Sequence, residues 1–478
     1  MTSILLAVAM MVACDNTISY DRYSYDYEDI TTENGSGVGG EEQPGDEVEP
    51  GGGAGVGILA QPANRFLESI GMNSSLDSRG ENKASTAACM NYLGARWLRC
   101  GYGSDTDDVF GYLIDNVPNI RFSMSVGTGG NHTDKKFTRI LNVAKYLKSR
   151  NALIALEGAN EPNNWGIWYD GKYGGGPNGD WTPVAQMHSD FYEVVKADPY
   201  LKDVDVWSIT CAGAQDNNVG LQFLTIPSGA GCLMPAGTRF ADVVNVHNYF
   251  SHPSFPAPKD NQTWIASDPS SNCMVDGLYG NNGKTWRNKY QGYSEQECMT
   301  IRKVTTETGI VIGGAVTEKM QGLMYITCYL AQFARGWEYT SMYILRDRSD
   351  EAGNQTFGFY TTDYQPRLAA HYMHNLTTIL KDDTSIKNPG KVNYTINGKT
   401  QMVHDLLLQK FDGTFALVVW GEYYQSGQKA DVKVDLGAEY ENVTVYNPIT
   451  GLEAVQTLNT ASEVSLTLTN EPYIILFK

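Results

Sequence analysis

The chain has no Cys-x-x-Cys pair and no cluster of His and Cys at metal-ligand spacing, although it holds 8 Cys and 7 His. That pattern excludes the common zinc-binding and thioredoxin-type redox classes. The stretch IGMNSSLDS, read as the first long-fold strand and its loop, offers no His-x-His, which removes the usual metal-dependent barrel hydrolase. No glycine-rich phosphate loop follows that strand, against a doubly wound nucleotide-binding sheet. Positive charge is in deficit: 36 Lys and Arg against 54 Asp and Glu give a net charge of −18, which repels a phosphate backbone and excludes nucleic acid as a partner. The apolar run ILLAVAMMVAC (residues 4–14) is too short to cross a membrane as a helix.

That run ends in small residues and a cysteine. Val12-Ala13-Cys14 resembles the lipobox of a bacterial lipoprotein signal, with Cys14 as the lipidated first residue of the mature protein, although no Lys or Arg precedes Ile4. The resemblance implies an exported protein held by a lipid anchor on Cys14, at the cell surface or in the periplasm of a Gram-negative bacterium. Residues 15–57 then read as a flexible tether, acidic and finally Gly-rich, with too little apolar surface to fold. Residues 15–50 hold 11 acidic residues and one Arg, so 11 − 1 = 10 of the 18 excess negative charges sit there and the remainder is mildly acidic. Among the other cysteines, Cys232 and Cys273 fall in loop-like sequence where an exported protein could pair them. Cys100, Cys211 and Cys328 lie in apolar contexts suited to buried thiols.

What the chain has in quantity is alternation. From residue 58 to 381, short apolar runs alternate with amphipathic stretches such as FTRILNVAKYLKSR and VAQMHSDFYEVVKAD. Strands are expected at Ser69–Asn73, Arg96–Gly101, Ile120–Val126, Leu153–Asn160, Val204–Ala212, Val243–Tyr249, Lys303–Thr308 and Ser341–Arg346. Eight such units over roughly 300 residues are the size and rhythm of an α/β fold of the (β/α)8 TIM-barrel type. The segment Ile58–Phe66 precedes the first strand and is placed to add one to the barrel. From 382 to 478 the period changes to two, in LLLQKFDGTFALVVWGE, NVTVYNPITG and YIILFK, with turns at Asp412-Gly413 and Asn447-Pro448. That is a small antiparallel β-sandwich with no acidic cluster of its own, hence an accessory domain.

Two strand ends carry carboxylates. Glu161 closes LIALEGANEP and Glu307 closes RKVTTETG. A carboxylate at the end of a buried strand is costly unless a site uses it. In a barrel every strand's C-terminal end faces one mouth, so residues distant in sequence meet there. Two such acids suit glycosidic bond cleavage, one donating a proton and the other attacking the anomeric carbon.

Asn160-Glu161-Pro162 after the fourth strand and Thr306-Glu307-Thr308-Gly309 at the seventh resemble the clan A retaining glycoside hydrolases, (β/α)8 enzymes often followed by a β-sandwich. The resemblance implies Glu161 as acid/base, Glu307 as nucleophile and Asn160 as a partner of the sugar 2-hydroxyl. It extends to Arg99 on the second strand and to His247 and Tyr249 on the sixth, where Arg and Tyr orient the nucleophile. Glu157 shares the inward face with Glu161 and reads as a buried structural partner of Arg99. The eighth strand, MYILRDR, departs from the clan by offering Arg346 or Asp347 where many members have Trp.

Aromatics fill the long loops. The loop after the fourth strand holds Trp165, Trp168, Tyr169 and Trp181, and that after the sixth holds Trp264, Tyr279 and Trp286. Flat rings among Gly and Asn suit stacking on sugars, with Trp165 and Trp168 the nearest platforms to Glu161 and Trp286 a further subsite candidate. The loop after the third strand adds Asn131 and His132. The resulting expectation is a monomeric retaining glycoside hydrolase acting on an oligo- or polysaccharide, needing neither cofactor nor metal. Its rival is a surface glycan-binding lipoprotein that performs no chemistry.

Overall fold

The computed structural model describes residues 57–101, 106–176, 180–211, 224–230, 234–249, 292–314, 316–350, 355–423 and 427–478. The lipobox with Cys14, the tether up to residue 56, the Cys232 and Cys273 positions, and Trp264, Tyr279 and Trp286 lie outside the described residues. No helix among the described residues is long and apolar enough to cross a membrane.

Eight parallel strands form the barrel: β1 (Ile70–Asn73), β2 (Trp97–Cys100), β3 (Arg121–Ser125), β4 (Leu153–Glu157), β5 (Asp205–Trp207), β6 (Val244–His247), β7 (Lys303–Thr308) and β8 (Thr340–Met342). Each pairs with its successor, β8 returns to β1, and the β5–β6 seam is joined by a parallel bridge between Trp207 and Val243. The α/β barrel expected from the alternation is the observed fold. Helices cover its outside, among them Thr138–Ser149 and Thr182–Ala197, the two amphipathic stretches singled out above.

The barrel interior is filled near its N-terminal end by large rings. Trp97 of β2, Trp207 of β5 and Tyr339 lie with centroids 5.6–6.1 Å apart, packed with Ala155, Val243 and Val304. Gly71 of β1 makes room for this plug, since a Cβ there would stand 2.1 Å from the Trp97 ring. Strand alternation then aims the next inward residues, Arg99 two positions after Trp97 and Glu157 two after Ala155, one layer nearer the mouth.

Some strand ends differ from expectation. Regular pairing stops at Glu157 in β4, although Asn160 still bridges Thr128 and Thr210. β8 stops at Met342; Leu345 N still donates to Asn73 O, and Arg346 then bridges Tyr360 in the following loop. The segment Ile58–Phe66 does not extend the barrel. Ile58–Leu59 pairs with Lys391–Val392, Gln61–Pro62 pairs with Leu408–Gln409, and a helix starts at Ala63. Pro62 lacks an N–H for a ladder, so it suits this sheet edge.

The C-terminal region is an antiparallel sheet built from Thr395–Asn397, Val403–Gln409, Phe415–Gly421, Ala430–Tyr446, Ala454–Leu468 and Tyr473–Phe477. The Asp412-Gly413 turn links its second and third strands, with Gly413 at φ 93°. Its residues alternate between two cores. Leu407, Leu417, Val419 and Ile475 face the sheet's own core, whereas Leu406, Leu408, Val418, Trp420 and Ile474 join the core shared with the barrel helices. Residues Gly57–Lys478 accordingly form one compact unit.

Candidate active site

Arg99 organises the mouth. Its Nε donates to Glu157 Oε2 at 3.0 Å, Nη1 reaches Asn73 Oδ1 at 3.1 Å and Glu307 Oε1, and Nη2 donates to Asn160 Oδ1 at 2.7 Å. One planar guanidinium thus ties the ends of β1, β2, β4 and β7 together, which a lysine's single ammonium would not reproduce. Burial by itself would lower the Arg99 pKa, but the charges of Glu157 and Glu307 outweigh it and raise the value above the ordinary one. Glu157, fully buried, is held on its other oxygen by Ser123 Oγ. Its expected partnership with Arg99 is present.

Glu307 sits where β7 departs from regular register. Val246 pairs with Thr305 but His247 pairs with Glu307, so Thr306 is the extra residue and the carboxylate comes level with His247. Tyr249 Oη donates to Glu307 Oε2 at 2.9 Å. Burial and the charges of Glu307 and Glu161 raise the Tyr249 pKa well above its ordinary value, which keeps the phenol a neutral donor.

Glu161 stands at φ +43°, in the left-handed region that a residue with a Cβ seldom adopts. Strain of this kind costs roughly 1–3 kcal/mol and persists only where neighbours fix the backbone. Here Asn164 N and Trp165 N both donate to Glu161 O, at 2.9 and 2.8 Å. The Glu161 carboxylate accepts from Asn164 Nδ2 at 2.9 Å and meets His247 Nδ1 at 2.8 Å. His247, 2% exposed, contacts Thr306 Oγ1 through Nε2 at 3.1 Å, and Thr306 donates to Asn245 Oδ1.

The structure therefore assembles Arg99, Asn160, Glu161, His247, Tyr249 and Glu307. Glu161, His247 and Glu307 each present a ligand atom within 4.8 Å of the others, so this trio could be asked to hold a cation. An ion there would compete with Arg99 and Tyr249 for Glu307 and with Asn164 for Glu161.

Other expected residues are placed differently. Trp165 (38% exposed), Trp168 (48%) and Asn131 lie on the loops beside the mouth, and His132 is turned onto Gly129 O at 3.0 Å. Arg346 is not part of the cluster. Its guanidinium donates to the carbonyls of Thr362 and Asp347 and stacks on Tyr364, 4.6 Å being the contrasting distance of Arg65 on Tyr339 and 5.1 Å that of Arg346. Asp347 pairs with Arg367. Because β8 ends at Met342, Tyr343 follows the strand end, packing on Tyr249 at 6.3 Å and Phe357 at 5.6 Å. Asn73, Ser123, Asn164 and Thr306 were missed from sequence. Asn73 is the last residue of β1, and a listing of every polar strand-end residue would have found it.

Among solved structures, the chain is similar to a family 39 glycoside hydrolase from the gut symbiont Bacteroides cellulosilyticus WH2, with TM-score 0.56 and 14% identity over 87% of this chain and 81% of that one. It is also similar to a monomeric β-xylosidase from Caulobacter crescentus CB15, with TM-score 0.53 and 14% identity over 88% of this chain and 97% of that one. The chain shares their fold. No family profile and no curated protein matches the sequence.

Proposed function

We propose that the chain is a retaining glycoside hydrolase acting on an oligo- or polysaccharide. The observation that carries this reading is the meeting of Glu161 and Glu307, with oxygens within 4.8 Å across the barrel mouth. Carboxyl groups about 5–5.5 Å apart suit double displacement, whereas inversion needs about 6.5–9.5 Å to admit a water.

The surroundings distribute the roles. Glu307, gripped by Arg99 and Tyr249, is oriented as the carboxylate that attacks the anomeric carbon. The glycosidic C–O bond breaks as Glu161 transfers its proton to the leaving oxygen. Glu161, now a carboxylate, takes a proton from water, whose oxygen attacks the anomeric carbon and releases Glu307. Thr306 directs its single hydroxyl proton to Asn245, so His247 donates from Nε2 and turns Nδ1 to the proton of Glu161. With Oδ1 held by Arg99, Asn160 keeps its Nδ2 as a donor for a sugar hydroxyl. A lipid anchor on Cys14 and the acidic tether would hold this domain off a membrane surface, consistent with the composition of residues 1–57.

The test is hydrolysis of aryl glycosides and polysaccharides by Glu307→Gln and Glu161→Gln. Loss of more than about 10³-fold is expected for the first on every substrate. For the second, a loss of about 10²–10⁴-fold is expected on sugar leaving groups but little on dinitrophenyl leaving groups, which need no protonation. Undiminished activity in both variants would refute the assignment.

A further inference from the structure

The two exposed tryptophans among the described residues lie on one loop, the one that follows Glu161. Trp97, Trp181, Trp207, Trp337 and Trp420 are at most 1% exposed, whereas Trp165 is 38% and Trp168 48% exposed. Tyr173, 47% exposed, lies on the same loop. Leaving such rings in water forgoes the burial gain that the other five obtain, so their placement calls for an account.

The loop folds into a small three-stranded sheet of Gly130–His132, Ile167–Tyr169 and Lys172–Gly174. Alternation sends Ile167 and Tyr169 inward, at 0% and 2% exposure, where Tyr169 donates to Asp190 of the helix Thr182–Ala197. Trp168 is thereby turned out. It is in register with Asn131 on one side and Tyr173 on the other, so the three side chains form a row on one face. The row crosses two strand spacings, about 10 Å. The Trp168 and Tyr173 rings stand 5.5 Å apart at 60°. Tyr173 lies across Gly166, where a Cβ would be 2.0 Å from its hydroxyl.

Both ends of the loop are fastened beside Glu161. Trp165 N donates to Glu161 O at 2.8 Å, and Gly176 N donates to Pro162 O at 2.7 Å. The row is thus a rigid extension of the segment that carries the proposed acid. An acid that protonates the leaving oxygen stands next to the leaving group, and the row is carried by the loop that is hydrogen-bonded to that acid's own backbone.

We propose that Trp168, Tyr173 and Asn131 form an outer stacking subsite for a sugar unit in the leaving-group portion of a polysaccharide substrate. A pyranose face stacks on Trp168, and its hydroxyls meet Asn131 and the Tyr173 hydroxyl. The inference rests on the glycosidase reading for its side of the cleft, and it makes the substrate an extended chain.

Binding is measured on the Glu307→Gln protein with xylo-, cello- and manno-oligosaccharides of two to six units, and cleavage is measured on the active chain with the same oligosaccharides and with aryl glycosides. Trp168→Ala and Tyr173→Ala should weaken binding and cleavage of the longest bound oligosaccharide about tenfold, with disaccharide binding and aryl-glycoside turnover within about twofold. Trp168→Phe, which keeps a ring, should restore most of the loss. Equal losses on long and short ligands, no loss on any, or no binding of any series by the Glu307→Gln protein would overturn the subsite. Full activity of Glu307→Gln would instead overturn the reaction, and the binding arm would still decide the platform.

Discussion

At the scale of single residues, two histidines show how differently the fold uses one side chain. His247 bridges Glu161 to the Thr306–Asn245 pair. Its replacement by Ala is expected to lower kcat/KM about tenfold on sugar leaving groups and less on dinitrophenyl glycosides, a leaving-group dependence that simple loss of packing would not produce. His188 is buried between Phe191, Phe240 and Gly158, and burial lowers its pKa to about 3. It is neutral in the fold, while the unfolded chain protonates it near pH 6.5. Its contribution is therefore complete above pH 6.5 and declines as pH falls toward 3, by about 1.4 kcal/mol per unit. Thermal melts of wild type and His188→Gln should converge as the pH is lowered from 7 to 4.

At the scale of elements, the strands place the site because their interiors are packed first. Trp97 can occupy the barrel only because β1 has Gly71 opposite it. Gly71→Ala is expected to force that indole from its place and destabilise the fold by roughly 1–3 kcal/mol, with activity lost in proportion because Arg99 follows Trp97 on β2; urea unfolding and kcat measure the two effects. The one-residue slip between β6 and β7 does similar work for Glu307, bringing it level with His247. The loop between Glu161 and Gly176 is a third such element, stiffened by its own small sheet and by hydrogen bonds back to residues 161 and 162.

At the scale of the whole molecule, the C-terminal sheet is part of the barrel's core. Trp420, Val418, Leu408 and Ile474 present one of its faces to the barrel helices, and Gln61–Pro62 pairs with its strand Val403–Gln409. Cutting the chain after residue 381 would expose that apolar face, so the truncated barrel is expected to aggregate on expression. Residues 57–478 should unfold in one calorimetric transition, and two separated transitions would show the sheet to be independent.

The count of eight alternating units, with no phosphate loop after the first, pointed to the barrel. Whereas Glu161 stands past the end of β4, which stops at Glu157, the glutamate of β7 and the change to a two-residue period near residue 382 followed from local patterns of apolar and polar residues. The buried thiols of Cys100, Cys211 and Cys328 were legible for the same reason. Only the tertiary structure decided what depends on register and on distant partners. It turned the expected strand-eight charge of Arg346 onto Tyr364 and loop carbonyls, paired Ile58–Leu59 with Lys391–Val392 and Gln61–Pro62 with the C-terminal sheet instead of the barrel, and set Asn73 on Arg99, Ser123 on Glu157 and Thr306 on His247. A hydrogen bond between residues that stand on different strands leaves no mark in the local pattern, since it is fixed by how the barrel closes.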